Sequence, residues 1–300
     1  MGMTATAAVG LALLLDAVFE EFPASVHPTA LFGRLVGRVD RSWTRPKLVG
    51  TLAALALPLG AAALAGGLTE LAVRYSAILG SGIAAVALFS TTSLRMLVSE
   101  AATVVDRTEG DVDGARGAVR ALVGRDATEL SSGELRSAAV ESVAENLADG
   151  LVAPLVAFAL GAQFSLALAV AAAVWVKAVN TVDSMLGYRS KPVGWAGARL
   201  DDAVMWLPAR LGAASIALAG RSPSALGRAR AWCDEPPSPN SGWPMATLAA
   251  VLDVELVKPG VYVLNPDAGL PSVDDARAGI RVVGAAGVSS FFAAGVVAWF

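Results

Sequence analysis

The chain has 300 residues, of which 55% are hydrophobic and 16% are charged, and its mean hydropathy is +0.59. Soluble domains carry about 25% charged residues, so this composition excludes an ordinary soluble protein and indicates a membrane protein. The net charge of −3 and the pI near 5.3 argue against nucleic acid as a partner. A single cysteine, Cys233, and a single histidine, His27, exclude an internal disulfide, a cysteine-based zinc site and a His-Glu-x-x-His protease. Any metal would therefore be held by oxygen ligands.

Apolar blocks predict the membrane segments in chain order. Full spans are predicted at residues 4–19, 48–68, 75–96 and 279–300, with a short turn at 69–74. The block 151–176 contains Pro154 and a glycine break, which predicts either one kinked span or two half-helices. The block 203–220 carries Pro208 and Arg210, which favours a re-entrant or protein-lined segment. The predicted fold class is an all-α polytopic integral membrane protein with about four to six spanning or re-entrant segments and cytoplasmic helical loops.

The distribution of basic residues predicts the orientation. The loop between the first two spans carries Arg34, Arg38, Arg41, Arg45 and Lys47, whereas the following turn carries Arg74. By the positive-inside rule the first loop is cytoplasmic. Within a single membrane domain, 1–300, residues 95–150 are then expected to form a cytoplasmic helical subdomain. Residues 221–278 are expected to form a cytoplasmic loop that carries a Ser-Pro-Asn motif, so polar residues from several loops could converge.

An acidic motif follows a capping-box pattern at Ser131 and Glu134, which predicts the start of a helix that stops or kinks near Pro154. The motif places three carboxylates at i, i+4 and i+8 with an amide beside them: Glu141, Glu145, Asp149 and Asn146. Like charges at i, i+4 cost about 0.2–0.5 kcal/mol per pair and oppose the helix dipole near a C-terminus. Their presence favours a bound cation, such as Mg²⁺ bridging to phosphate. The alternative is a solvated acidic face.

A second motif lies on the next predicted helix, which should end near Gly187. Its polar members share about a third of the helix circumference: Lys177, Asn180, Asp183 and Ser184. An Asn-x-x-Asp pair thus occurs at 146 and 149 and again at 180 and 183. Two such pairs could hold the two ends of one metal-phosphate group. The alternative is a simple ion pair between Lys177 and Asp183.

A third motif contains Arg199, Asp201 and Asp202 and is followed by Arg210. Both arginines suit bidentate recognition of carboxylate or phosphate, although Arg210 could instead extend to the membrane interface. Adjacent carboxylates point in different directions on a helix, so one could pair with Arg199 while the other reaches a ligand. The proline and glycine density of residues 235–244 excludes helix or strand there. The His27-Pro28 pair is more typical of a structural turn than of a ligand.

Seven motifs occur in order along nearly the whole chain. They are His27-Pro28 with Arg34, Gly124-Arg125-Asp126, the segment from Glu141 to Pro154, the segment from Lys177 to Tyr188, Ala198-Arg199-x-Asp201-Asp202, Leu207-Pro208-Ala209-Arg210 and Ser238-Pro239-Asn240. Together they resemble the adenosylcobinamide-phosphate synthase family, the integral-membrane cobalamin biosynthesis proteins CobD/CbiB. The motifs are specific jointly, and no single one would suffice.

The resemblance implies an ATP-dependent amide ligase of cobalamin biosynthesis. Such an enzyme joins a carboxylate of cobyric acid to aminopropanol or its phosphate at the cytoplasmic face of the cell membrane. Mg²⁺ and ATP are implied as cofactors, and the corrinoid is a substrate. The expected partners are membrane lipid and the corrinoid, with no nucleic acid. Self-association and association with other cobalamin-pathway enzymes are left open.

The implied roles follow the charges of the motifs. Mg²⁺ or MgATP is assigned to Glu141, Glu145, Asp149 and Asp183, with Asn146 and Asn180 orienting oxygens. Phosphate or corrin carboxylates are assigned to Arg34, Arg199 and Lys177, the last also counted as catalytic. Asp201 or Asp202 is the expected base for the incoming ammonium. The substrate-binding set is completed by Ser184, Asn240 and His27.

Two other function classes fit parts of the pattern. A membrane Mg²⁺-diphosphate-dependent transferase, similar to a prenyltransferase, would also use paired Asn-x-x-Asp motifs on helices that enter a bilayer. A transporter or assembly scaffold would account for the intramembrane Asp16 and the broken helices near 161 and 208. The concentration of polar residues in loops on one side argues against transport.

Overall fold

The computed structural model describes residues 2–120, 122, 127–188 and 190–300. The Gly124-Arg125-Asp126 motif lies outside the described residues. The helices are α1 Gly2–Phe19, α2 Pro28–Gly37, α3 Pro46–Tyr75, α4 Ala77–Thr91, α5 Leu94–Arg107, α6 Val112–Val119, α7 Ser132–Leu147, α8 Ala153–Gly161, α9 Leu166–Leu186, α10 Trp195–Val204, α11 Trp206–Ala219, α12 Ala225–Ala229, α13 Gly242–Leu252 and α14 Val273–Trp299. A short antiparallel hairpin joins β1 Leu256–Lys258 to β2 Tyr262–Leu264, with Leu256 opposite Leu264.

Six helical segments within the described residues are long and apolar enough to cross a membrane. They are Gly2–Phe19, Pro46–Tyr75, Ala77–Arg107, Ser132–Gly161, Leu166–Leu186 and Val273–Trp299. The prediction of an all-α polytopic membrane protein is therefore confirmed, and the chain is a multi-pass membrane protein.

The predicted turn at 69–74 is wrong, because α3 continues as helix through Tyr75. No helix breaker occurs in that stretch, and Glu70 pairs with Arg74 at 3.1 Å with the i, i+4 spacing that supports a helix. The chain turns at Ser76, whose Oγ accepts a hydrogen bond from the backbone N–H of Leu79 at 3.1 Å and caps α4. The connection is therefore much shorter than the sequence predicts.

The block 151–176 is neither one kinked span nor two half-helices, because it joins parts of two longer helices. The capping box at Ser131 and Glu134 starts α7 as predicted. A π-helical turn, Ala148–Val152, then leads directly into α8, so helix continues from Ser132 to Gly161. A turn at Ala162 to Ser165 follows, and Ser165 caps α9 through the N–H of Leu168 at 2.9 Å.

Two further boundaries differ from expectation. Gly242, Trp243 and Pro244 form the first turn of α13, where a proline is tolerated since its missing N–H has no intrahelical partner. The prediction that residues 235–244 form neither helix nor strand is therefore wrong for residues 242–244. Pro208 likewise lies in the first turn of α11, a 14-residue helix outside the six candidate spans.

Contacts divide the described residues into two compact units. Unit 1 comprises Met1–Ser93, Asp149–Met205 and Ser290–Phe300, and unit 2 comprises Leu94–Ala148 and Trp206–Ser289. The segments predicted as a cytoplasmic subdomain, 95–150, and as a cytoplasmic loop, 221–278, both lie almost entirely in unit 2.

In unit 1, α3 packs along α9 with close backbone approach. A Cβ atom at Gly66 would lie 3.0 Å from the carbonyl oxygen of Ala167, so glycine permits this approach. Nearer the start of α3, Ala54 is buried in one hydrophobic cluster with Val182 and Leu186, which lie near the end of α9. The two helices are therefore antiparallel.

In unit 2, α7 packs against α5 and α13 and forms the centre. Its side chains Leu135, Val140 and Leu147 are fully buried. Ser137 of α7 accepts a hydrogen bond from the backbone N–H of Val257 at 2.8 Å, which ties the hairpin to the helix.

Candidate functional site

The polar face of α9 carries Lys177, Asn180 and Asp183, three side chains that are half-buried. Their spacing of three residues places them on one side of the helix. Ser184 extends this face but is exposed, and its hydroxyl donates to the carbonyl oxygen of Thr181 at 3.1 Å. The helix ends at Leu186 with Gly187 as its cap, as predicted.

Helix α10 packs against α9 and brings the third motif to the second. The Nδ2 of Asn180 donates to the Oδ1 of the buried Asp201 at 3.5 Å. Asp183 and Asp202 interact electrostatically as a pair of like charges. Residues about 20 positions apart in sequence are therefore combined into one cluster, here called the α9/α10 cluster: Asn180, Asp183, Arg199, Asp201 and Asp202.

Asp202 has a perturbed protonation equilibrium. Burial raises the pKa of its carboxyl above the ordinary value of 3.8, and the neighbouring positive charge of Arg199 opposes that rise. Arg199 itself is exposed. A carboxylate with a raised pKa is a better proton acceptor near neutral pH than an ordinary one. The two adjacent acids are thus distinguished, since Asp201 binds the amide of Asn180 and Asp202 faces Arg199.

Lys177 belongs to a second polar group in unit 1. The carboxylates that interact electrostatically with it are those of Asp149, in the π-helical turn, and Glu21. Asp183 instead interacts with Asp202, so the structure does not support a simple Lys177–Asp183 ion pair.

His27 starts α2 and is bound at both ring nitrogens. Its Nδ1 accepts a hydrogen bond from the backbone N–H of Thr29 at 3.0 Å, and its Nε2 lies 3.1 Å from the carboxylate of Glu21. The ring is buried and stands edge-on to Phe22. His27 therefore caps the start of α2, and its place in the substrate-binding set stays a prediction. Arg34 of the same helix is exposed and donates to the carbonyl oxygen of Ser25 at 3.1 Å.

The first acidic motif is divided between the units. Glu141 is buried in α7, Glu145 is half-buried, and Asn146 is exposed, all three in unit 2. The Nδ2 of Asn146 donates to the carbonyl oxygen of Ser142 at 3.0 Å, an interaction within its own helix. Asp149 lies in the π-helical turn and belongs to unit 1.

Arg210 and Asn240 form a separate polar contact in unit 2. The Nη1 of Arg210 donates to the Oδ1 of the buried Asn240 at 2.6 Å, and its Nη2 donates to the carbonyl oxygen of Pro239 at 3.3 Å. The guanidinium lies between two aromatic rings, 4.8 Å from the centroid of Trp206 and 5.3 Å from that of Trp243. Arg210 therefore fastens the Ser-Pro-Asn loop to α11.

The donor chemistry of the α9/α10 cluster can be compared with the needs of Mg²⁺. Among the residues that the structure describes, no three or more His, Cys, Asp or Glu side chains form a group that could hold a metal ion. Mg²⁺, however, is commonly held by one or two carboxylates together with waters and substrate phosphates. Asp183 and the amide oxygen of Asn180 fit that role. The donors thus suit Mg²⁺ bound with a phosphate and not an all-protein cage, and the metal roles of Glu141, Glu145 and Asp149 stay predictions.

Glu21 is the main residue that the sequence motifs missed. It contacts His27 and interacts electrostatically with Lys177. The available signal was the acidic pair Glu20-Glu21 directly after the first span, a position where charged side chains lie beside a membrane surface. A lysine-aspartate ion pair between Lys191 and Asp40, at 2.7 Å, was also not anticipated.

Comparisons with known proteins cover most of the chain. The family model described as CobD/Cbib protein matches residues 9–283. A probable cobalamin biosynthesis protein CobD from Methanothrix thermoacetophila is 36% identical over 92% of this chain and 91% of its own length. Cobalamin biosynthesis proteins CobD from Mycobacterium tuberculosis and Rhodobacter capsulatus are 37% and 35% identical, over 86% and 85% of this chain and 82% and 81% of their own. No solved structure matches the chain. The chain therefore belongs to the CobD/CbiB family.

Proposed function

We propose that this protein is the ATP-dependent amide ligase of cobalamin biosynthesis that joins a carboxylate of cobyric acid to aminopropanol or its phosphate. The role in cobalamin biosynthesis rests on the names of the relatives. Those names also argue against the transferase and the transporter or scaffold as alternatives. The observation that carries the ligase proposal is the contact between α9 and α10, which combines acids, amides and an arginine in one cluster.

The proposed reaction forms a C–N bond in two steps. A carboxylate oxygen of cobyric acid takes the terminal phosphoryl group of ATP, which gives a mixed anhydride and ADP. The amine nitrogen then attacks the carbonyl carbon, the C–O bond breaks, and the oxygen leaves with inorganic phosphate. The amine arrives as an ammonium, so it loses one proton before the attack and a second as the amide forms.

The cluster residues have distinct roles in this proposal. Asp202 accepts the first proton from the ammonium, because its raised pKa suits a base near neutral pH. Asp201 accepts a hydrogen bond from the Nδ2 of Asn180, and the amide oxygen of Asn180 together with Asp183 would hold Mg²⁺. Arg199 and Lys177 bind phosphate or corrin carboxylates. Mg²⁺, when bound, neutralises charge on the phosphoryl group during transfer.

The test uses the whole protein purified in detergent. It is given adenosylcobyric acid, ATP, Mg²⁺ and either aminopropanol or its phosphate, and the corrinoid products are identified by mass. We expect an amide product that depends on ATP. Asp183→Asn should lower kcat at least about 100-fold, while the control Asp113→Asn, at an exposed position of α6 in unit 2, should match wild type. Folded protein that gives no amide product with either amine would overturn the proposal.

A further inference from the structure

The segment before the membrane-spanning helix α3 is strongly basic. It carries four exposed cations, which form what is here called the basic surface: Arg38, Arg41, Arg45 and Lys47. The one acidic residue in positions 38–47 is Asp40, and Lys191 neutralises it with its Nζ 2.7 Å from the Oδ2. Within the residues that the structure describes, no cation of the basic surface pairs with a carboxylate. The surface therefore carries positive charge that the protein does not compensate.

Contacts within unit 1 hold this segment in place. Trp43 packs on the hydrophobic cluster that contains Ala54 and Leu186. Its Nε1 donates to the carbonyl oxygen of Val39 at 2.9 Å, and the guanidinium of Arg41 lies 4.1 Å from the centroid of its ring. The backbone is thus fixed against α3 and α9, while the basic side chains stay exposed.

The position of Lys47 in α3 places the basic surface at the level of the lipid headgroups. Between Lys47 and Glu70, α3 has 22 uncharged residues, which rise about 33 Å at 1.5 Å per residue. The hydrocarbon core of a bilayer is about 30 Å thick, so Lys47 lies where the core meets the headgroups. The Nζ of Lys47 is 5.7 Å from the ring centroid of Trp195, an aromatic residue of the kind that is enriched at this level. Directly after Lys47, exposed leucines follow one side of α3 at helical spacing and offer a surface to acyl chains: Leu48, Leu52, Leu55 and Leu59.

We propose that the basic surface binds the headgroup of an anionic phospholipid, whose acyl chains lie along the exposed leucines of α3. Uncompensated cations at headgroup depth attract a negatively charged headgroup and repel the quaternary ammonium of a choline headgroup. Arginine suits this role, because its planar fork binds a phosphate through two hydrogen bonds. The lipid is independent of the proposed reaction, since no residue of the basic surface is assigned to ATP or to the corrinoid.

Three sets of variants separate lipid binding from a structural role. Arg41→Gln/Arg45→Gln/Lys47→Gln removes three charges at exposed positions. The matched control removes the same charge from exposed positions of unit 2: Arg120→Gln/Arg221→Gln/Arg230→Gln. Arg41→Lys/Arg45→Lys keeps the charge and changes the shape. Arg45→Gln/Lys47→Gln leaves the contact between Arg41 and Trp43 intact and serves if the triple variant does not fold.

The measurement is native mass spectrometry of the full protein in detergent with equimolar phosphatidylglycerol and phosphatidylcholine. Each basic residue near an anionic lipid contributes about fivefold, so wild type should retain phosphatidylglycerol over phosphatidylcholine by at least about tenfold. The unit 2 control and the lysine variant should keep that preference, and the triple glutamine variant should lower it at least about fivefold. An unchanged preference in the triple glutamine variant, or an equal loss in the unit 2 control or the lysine variant, would overturn the proposal. Displacement of the lipid by ATP or by poly-glutamate would also overturn it, because the surface would then belong to a soluble anion or to an acidic protein.

Discussion

Replacing Asp202 with asparagine removes the proposed proton acceptor while keeping the shape of the side chain. Asp202 is half-buried and Arg199 is exposed, so losing their electrostatic interaction costs at most about 1 kcal/mol of folding stability. The chain should therefore fold normally. A positioned general base contributes about 10²–10⁴-fold to a rate, so kcat for amide formation should fall by that factor with KM for cobyric acid nearly unchanged.

The pH dependence separates a base from a merely structural acid. Asp202 acts as a carboxylate, so wild-type activity should fall as the pH drops through its raised pKa. Arg199 opposes that rise, so Arg199→Gln should raise the pKa of Asp202 further and move the acid limb of kcat to higher pH. Wild-type kcat in Asp202→Asn, or an unmoved acid limb in Arg199→Gln, would refute the assignment.

Three further tests concern individual contacts within the two units. Ser131→Ala removes the cap of α7 and should cost about 0.5–2 kcal/mol, seen as a lower Tm in detergent; Ser224→Ala, whose hydroxyl caps nothing, should not change Tm. Arg210→Lys loses the forked contact to the Ser-Pro-Asn loop and should speed its cleavage in limited proteolysis; unchanged cleavage would contradict the fastening role. Asn180→Ala and Asp201→Ala should be non-additive in kcat/KM by about 0.5 kcal/mol or more, whereas additive effects would show that their contact is unimportant.

Length and hydropathy predict the spans near the two ends of the chain, where the predicted segments 4–19 and 279–300 start within six residues of α1 and α14. The candidate span Ser132–Gly161, in contrast, begins inside the segment 95–150 that the sequence assigns to a cytoplasmic subdomain. The sequence-based prediction is wrong where a helix boundary depends on hydrogen bonding. Residues 69–74 were expected to form a turn because they contain charged residues, but they lie within α3. The continuous path through the π-helical turn was also missed, since Gly150 and Pro154 resemble a stop and nothing local shows that the helix accommodates them.

The candidate site was predicted in parts. Helical spacing alone correctly placed Lys177, Asn180 and Asp183 on one face of α9. Asp201 contacts Asn180 because α10 packs against α9, and no local sequence pattern predicts that packing. The single metal site expected from the acidic stripe at 141–149 stays a prediction, since its residues fall in two compact units.

The contacts of His27 determine where its ring proton resides. A backbone N–H is directed at Nδ1, so that nitrogen must present a lone pair, and the hydrogen belongs on Nε2, where it faces the carboxylate of Glu21. This tautomer commits both nitrogens of the only histidine in the sequence to holding the start of α2. In the proposed reaction, proton transfer is therefore assigned to carboxylates and lysine and not to imidazole.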